Sequence, residues 1–302
     1  MKINSFTKYI FFGNYFYGIC AVALSIEATL QQEYPLNNAC FYAGIFALTT
    51  WYYTKAYITE QTANTVNQRT NWYIVNKKFV RWSQLFLQSF STILCIFFLK
   101  KHKGSIHHIS ILQVLLIMVF PVVAALYYGI NSKITSRYNL RNVGWMKPFV
   151  IGFTWAGMVT VYPVLFYKIT HQLSGTITLI GCLLFIKNFM FITVLCIMFD
   201  IKDYAMDYNQ QLKTFVVKTG LRKTIFYILI PLSFAGLGSF LLYGFIRHFS
   251  TMKICLNTIP FLLMLTVAYS LHKRKSILYY LILIDGLMLI KAICGSIAMI
   301  YF

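Results

Sequence analysis

Three aspartates, Asp200, Asp203 and Asp207, stand close together in the segment FDIKDYAMDYNQQLKTFVVKTG, in a chain that holds only seven acidic residues. Spacing of i, i+3 and i+7 puts all three carboxylates on one helical face. Carboxylates so placed repel one another unless something positive neutralises them. A hard divalent cation such as Mg2+, held by one or two carboxylates and by substrate phosphates, does so. The basic residues that follow, Lys213, Lys218, Arg222 and Lys223, suit phosphate oxygens. The plainer alternative is a solvated helix end balanced by Lys202 and its neighbours. The scarcity of acid elsewhere favours the first reading.

A second polar stretch, YYTKAYITEQTANTVNQRTNWYIVNKK, carries Glu60, Asn64, Asn67, Arg69 and Asn71. Glu60 and Asn64 are four apart and share a helix face, so they offer one carboxylate and one amide oxygen. An ordinary hydrophilic loop explains the same composition equally well.

The elements that must position these groups are apolar. Of 302 residues, 59% are hydrophobic and 11% charged, where a soluble domain carries about 25% charged residues. Apolar stretches of the length that crosses a bilayer recur along the whole chain. Backbone polar groups in hydrocarbon must be satisfied internally, which predicts an all-α polytopic bundle. Nine spans are expected, with centres near residues 19, 47, 91, 120, 157, 187, 236, 262 and 288. They form a single integral-membrane domain, 1–302, with polar connections at about 55–82 and 200–223. The first span reads as a true crossing rather than a signal peptide.

The net charge of +20 is unevenly placed. Nineteen Lys and Arg fall at the N-terminus and after spans two, four, six and eight, and six fall on the opposite side. The positive-inside rule then puts the N-terminus in the cytoplasm and, after nine crossings, the C-terminus outside. Basic residues in short loops between spans point to anionic lipid or phosphate and away from nucleic acid. The seven cysteines are scattered singly with no CxxC pair, so neither a zinc site nor a disulfide framework is indicated.

Glu27, Lys187, Asp285 and Lys291 lie within or at the edges of spans, where ionisable residues are functional candidates. Glu27 is expected to reach the interface. Lys187 sits deeper, with a structural partner, snorkelling or a substrate role all open. Asp285 and Lys291 are not a helical turn apart and are not paired. His102, His107 and His108 cluster in a loop, and Trp72, Trp82 and Trp145 flank spans as interfacial anchors.

The segment after span six resembles the second signature of the UbiA-type prenyltransferase superfamily, DxxxD followed by a G-x-K-T element. Asp203 and Asp207 match the paired aspartates, Lys213 and Thr214 match the K-T, and Gly220 closes the stretch. Gln211 and Leu212 stand where the glycine before the lysine would be. RNVGWMKPFVIGFTWAGMVTVYPV is similar to that family's run into its fifth helix. The family's first motif, NxxxDxxxD ahead of a K-R-T element, aligns on Gln68, Arg69 and Thr70. It then falls on Ala56, Glu60 and Asn64, so one carboxylate becomes Glu, one becomes an amide and the leading Asn is lost.

The resemblance implies a membrane-open cavity capped by the two polar connections, in an integral protein of a cytoplasmic membrane, bacterial in type. It implies transfer of an isoprenoid chain from its diphosphate to an aromatic or other lipophilic acceptor. Asp203, Asp207 and Glu60 would hold Mg2+, Lys213 and Arg69 would contact phosphate, and Asn64 and Asp200 would assist. Mg2+ bridging carboxylates and diphosphate stabilises the leaving group, and aromatic faces suit an allylic cation. The altered first motif favours a rival from another class, a non-catalytic lipid-binding or scaffold subunit. A transporter has no need of the carboxylate ladder.

Overall fold

The computed structural model describes residues 5–59, 68–106, 108–128, 144–174, 177–209, 214–273 and 275–302, and among them every regular element is helical. The chain clusters into two compact units. Unit 1 comprises residues 1–23 and 37–108, and unit 2 comprises residues 24–36 and 109–302.

Unit 1 opens with α1 (Ser5–Phe12) and α2 (Tyr15–Gln31), which are bent by 60° at the intervening pair. Gly13 and Asn14 make that bend. A Cβ on Gly13 would lie 2.4 Å from the Tyr9 carbonyl oxygen, and Asn14 takes φ +63°, a conformation that asparagine tolerates better than most residues. Then come α3 (Ala39–Thr59), α4 (Gln68–Val75), α5 (Lys77–Lys101) and the single turn α6 (Lys103–Ile106). The α2 helix contributes to unit 1 up to Ala23 and to unit 2 from Leu24.

Unit 2 continues with α7 (Ile111–Tyr128), α8 (Lys147–Ala156), α9 (Tyr162–Thr170), α10 (Leu179–Asn209), α11 (Phe215–Thr219) and α12 (Leu221–Thr224). It closes with α13 (Ile230–Ile246), α14 (Thr251–Ser270), α15 (Ile277–Tyr279) and α16 (Gly286–Tyr301). The π turns Gly157–Val161 and Ile225–Leu229 lie just before Pro163 and Pro231. Proline lacks an N–H and crowds the carbonyl four residues back, so a widened turn lets each span continue through it.

Among the described residues six helical stretches are long and apolar enough to cross a membrane, seven if the bent α1–α2 pair is one span. The six contain the expected centres near 91, 157, 187, 236, 262 and 288, and the bent pair contains that near 19. The centre near 120 falls in α7, a shorter apolar helix, and that near 47 in α3. These stretches are consistent with an integral membrane protein.

Among the described elements, the helix that carries the aspartates is the longest. No proline interrupts its 31 residues, and its one glycine lies in the first turn. At 1.5 Å per residue it extends about 46 Å, beyond the ~30 Å hydrocarbon core of a bilayer. Its polar last turns therefore project past the apolar part.

Candidate functional site

Burial separates the aspartates that the sequence places on one face. Asp200 is 1% exposed, and its Oδ1 accepts from Lys147 Nζ at 2.9 Å. Its Oδ2 has no hydrogen-bond partner among the described residues. One turn on, the Asp203 side chain is one-third exposed and its carboxylate lies 3.1 Å from Lys202 Nζ. Asp207 follows a further turn along α10, and its side chain lies outside the described residues, as do Glu60, Asn64 and Lys213. Asp200 does not fit as a cation ligand, because Lys147 already balances its charge in the interior. Asp203 does fit: among the described residues its ion pair is with its chain neighbour, and a partly exposed pair of that kind exchanges readily for another cation. Among the described residues no three His, Cys, Asp or Glu side chains cluster as a metal site.

Arg69 faces the interior of unit 1. Its guanidinium donates to the Phe11 and Phe12 carbonyls at 3.4 Å, to Asn14 Oδ1 at 2.5 Å and to Tyr57 Oη at 2.9 Å. It thereby supplies donors to the exposed carbonyl end of α1. Asn14 Nδ2 donates in turn to Thr54 Oγ1 and Tyr73 Oη, and Tyr73 donates to Phe12 O at 2.7 Å. Burial pushes the Tyr73 phenol up to about 12, so it remains a neutral donor at ordinary pH. Trp72, expected at the interface, is buried against Phe12 and Tyr9.

The deepest charges lie in unit 2. Glu27 is fully buried. Its Oε1 accepts from Lys187 Nζ at 3.1 Å and its Oε2 from Lys291 Nζ at 2.5 Å. Gln31 bridges the cluster: its Oε1 accepts from Lys187 at 2.6 Å, while its Nε2 donates to Glu27 and to Asn257 Oδ1. The expectation that Glu27 reaches the interface is thus corrected, because a carboxylate this deep persists only with cationic partners. Gly295 makes the room, since a Cβ there would lie 2.6 Å from the Glu27 side chain. Lys187 and Asp203 are sixteen residues apart on α10, about 24 Å along the axis. The cluster is therefore remote from the aspartates' exposed end.

Comparison with known protein families, curated proteins and solved structures finds no match. The roles of these residues therefore rest on chemistry and geometry alone.

Sequence reasoning had not singled out Lys147, Asn14 or Gln31. One signal pointed to the Glu27 cluster, namely one acidic and two basic residues in apolar spans, each of which needs a partner. Nothing in the sequence says which spans adjoin.

Proposed function

We propose that this is an integral-membrane, UbiA-type prenyltransferase-like protein that takes an isoprenoid diphosphate at the Asp203 end of α10. The observation that carries the reading is the contrast along that helix: Asp200 is held internally by Lys147, whereas the Asp203 carboxylate stays partly exposed beyond the apolar stretch. A helix at each of the nine expected centres supports nine crossings, and the skewed basic residues support a cytoplasmic N-terminus.

In this reading Asp203 and Asp207 receive Mg2+ together with Glu60, and Asn64 adds an amide oxygen. The ion, when bound, supplies the charge that stabilises a departing diphosphate. Asp200 and Lys147 dock α10 against α8 and so fix the position of Asp203 from behind. Arg69 serves the bend of unit 1, which leaves phosphate recognition to Lys213 and the exposed Lys218, Arg222 and Lys223. The acceptor is lipophilic and enters from the membrane.

A second reading, a non-catalytic lipid-binding or scaffold subunit, draws support from the internal commitment of Asp200 and Arg69, which thins the set of groups left for a diphosphate. Binding and turnover separate the two. Protein in nanodiscs is titrated with geranylgeranyl diphosphate with and without Mg2+, then offered a panel of aromatic acceptors. Metal-dependent binding with release of diphosphate supports the enzyme. Binding without turnover supports the subunit. No binding of this or shorter donors sinks the diphosphate site.

A further inference from the structure

One carboxylate and two amines meet inside the spans of unit 2, away from the groups that would receive a diphosphate. Glu27 is fully buried, Lys187 is 1% exposed and Lys291 is 3% exposed. Lys187 lies eight residues, about 12 Å, inside the first residue of α10. Lys291 lies ten residues, about 15 Å, before Tyr301 at the end of its span. Ionisable groups at such depth are expected to pair with one another or to take part in function.

The pairing is uneven. Lys187 Nζ donates twice, to Glu27 Oε1 at 3.1 Å and to Gln31 Oε1 at 2.6 Å, whereas Lys291 Nζ donates to Glu27 Oε2 at 2.5 Å. The two lysine side chains also meet each other, and within electrostatic reach of Lys291 the described residues supply one anion, Glu27. From the neighbouring helices, Asn257 of α14 reaches the cluster through Gln31, and Tyr243 of α13 donates to the Gln31 carbonyl. Cys294 follows Lys291 by three residues and lies near Glu27. Arg247 and Glu33, the charged pair beside Tyr243, hold each other at 3.1 Å and so cancel.

With both amines protonated the cluster carries a charge of +1, and an unbalanced charge away from water is strongly disfavoured. Two ammonium groups have donors and no acceptor, so they cannot hydrogen-bond each other. Release of one proton removes both difficulties. The amine that results keeps an N–H for Glu27 Oε2 and gains a lone pair that can accept from Lys187. Lys291 is the group that releases it, because a second acceptor, Gln31 Oε1, holds the Lys187 ammonium. A small anion would balance the charge as well, but Gly295 marks a packed wall: a Cβ there would lie 2.6 Å from the Glu27 side chain. We propose that the Glu27–Lys187–Lys291 cluster is a proton-binding site, in which Lys291 Nζ releases and regains one proton and the cluster passes between charges of +1 and zero. The Glu27 carboxylate and the Lys187 ammonium keep their charges throughout. The site is independent of the Asp203 end of α10, which lies about 24 Å from Lys187 along the axis.

A lysine in water keeps its proton up to about pH 10. The unfolded chain therefore still holds the proton at pH values where the folded chain has released it. In that window each unit rise in pH should lower the unfolding equilibrium constant by up to about tenfold. The direct test is nitrogen-15 NMR of the lysine Nζ atoms in the full chain, held in nanodiscs, carrying carbon-13 glutamate and titrated from about pH 5 to about pH 10. Of the two nitrogens in dipolar contact with the Glu27 carboxyl carbon, one is expected to pass from ammonium to amine while the carboxyl signal stays that of a carboxylate. Lys291→Met should lack the transition and flatten the dependence of unfolding on pH. Should that variant fail to fold, the native spectra decide, because the assignment rests on contact with Glu27. Two nitrogens that remain ammonium across the range, a Glu27 carboxyl that takes the proton instead, or a transition that persists in Lys291→Met overturns the proposal.

Discussion

The two units bury cations in opposite ways. In unit 1, the Arg69 guanidinium donates to several neutral oxygens: two carbonyls at the end of α1, the Asn14 amide and the Tyr57 hydroxyl. In unit 2, Lys187 and Lys291 close on a single carboxylate, that of Glu27. The planar guanidinium spreads its charge over several donors, so its fixed fork engages several dipoles at once. An ammonium is a compact point charge and, this deep, requires an anion. Loss of Glu27, which uncovers two buried ammonium groups, should therefore cost more than loss of Arg69, which uncovers hydrogen-bond acceptors.

The largest effect is expected at Glu27. Glu27→Gln leaves two buried lysines without an anion and should cost about 3–5 kcal/mol, read as a collapse in folded yield or in the midpoint of denaturant unfolding. Lys291→Met removes one cation and leaves Glu27 matched by Lys187, so its cost should be clearly smaller; equal costs would mean that the carboxylate is not the centre of the cluster. Next comes Arg69→Ala, expected to cost about 2–3 kcal/mol through lost charge-assisted hydrogen bonds. Hydrogen exchange should report the loss around α1 and α4 only. Arg69→Lys should recover little of it, because an ammonium cannot span the same four acceptors; full recovery would show that charge, not the fork, is what unit 1 uses. Asp200→Asn should cost about 1–2 kcal/mol, since Lys147 is a third exposed and can turn to water. Smallest is Asp203→Asn, within about 0.5 kcal/mol, as for a surface pair.

Helix placement was legible from apolar stretch length alone, and the expected centres each fall in a helix. Period and length dictate local structure, because a segment in hydrocarbon must satisfy its own backbone. The division into two units was not legible, since it depends on which apolar surfaces adjoin. The same limit explains the site. The i, i+3 spacing of Asp200 and Asp203 was correctly a feature of one helix, yet only tertiary packing brings Lys147 to the first of them and leaves the second outside. Arg69 illustrates the converse. Its alignment with the family's K-R-T element implies phosphate contact, while folding also brings it to the bend at Gly13–Asn14, 55 residues upstream, whose carbonyl and amide oxygens it donates to.

The most direct measurement compares Asp203→Asn and Asp200→Asn in one purified system, with geranylgeranyl diphosphate binding and thermal unfolding read side by side. Asp203→Asn is expected to abolish Mg2+-dependent binding with unfolding unchanged, while Asp200→Asn lowers the unfolding temperature and, once folded, still binds. Binding that survives Asp203→Asn would contradict this role of Asp203.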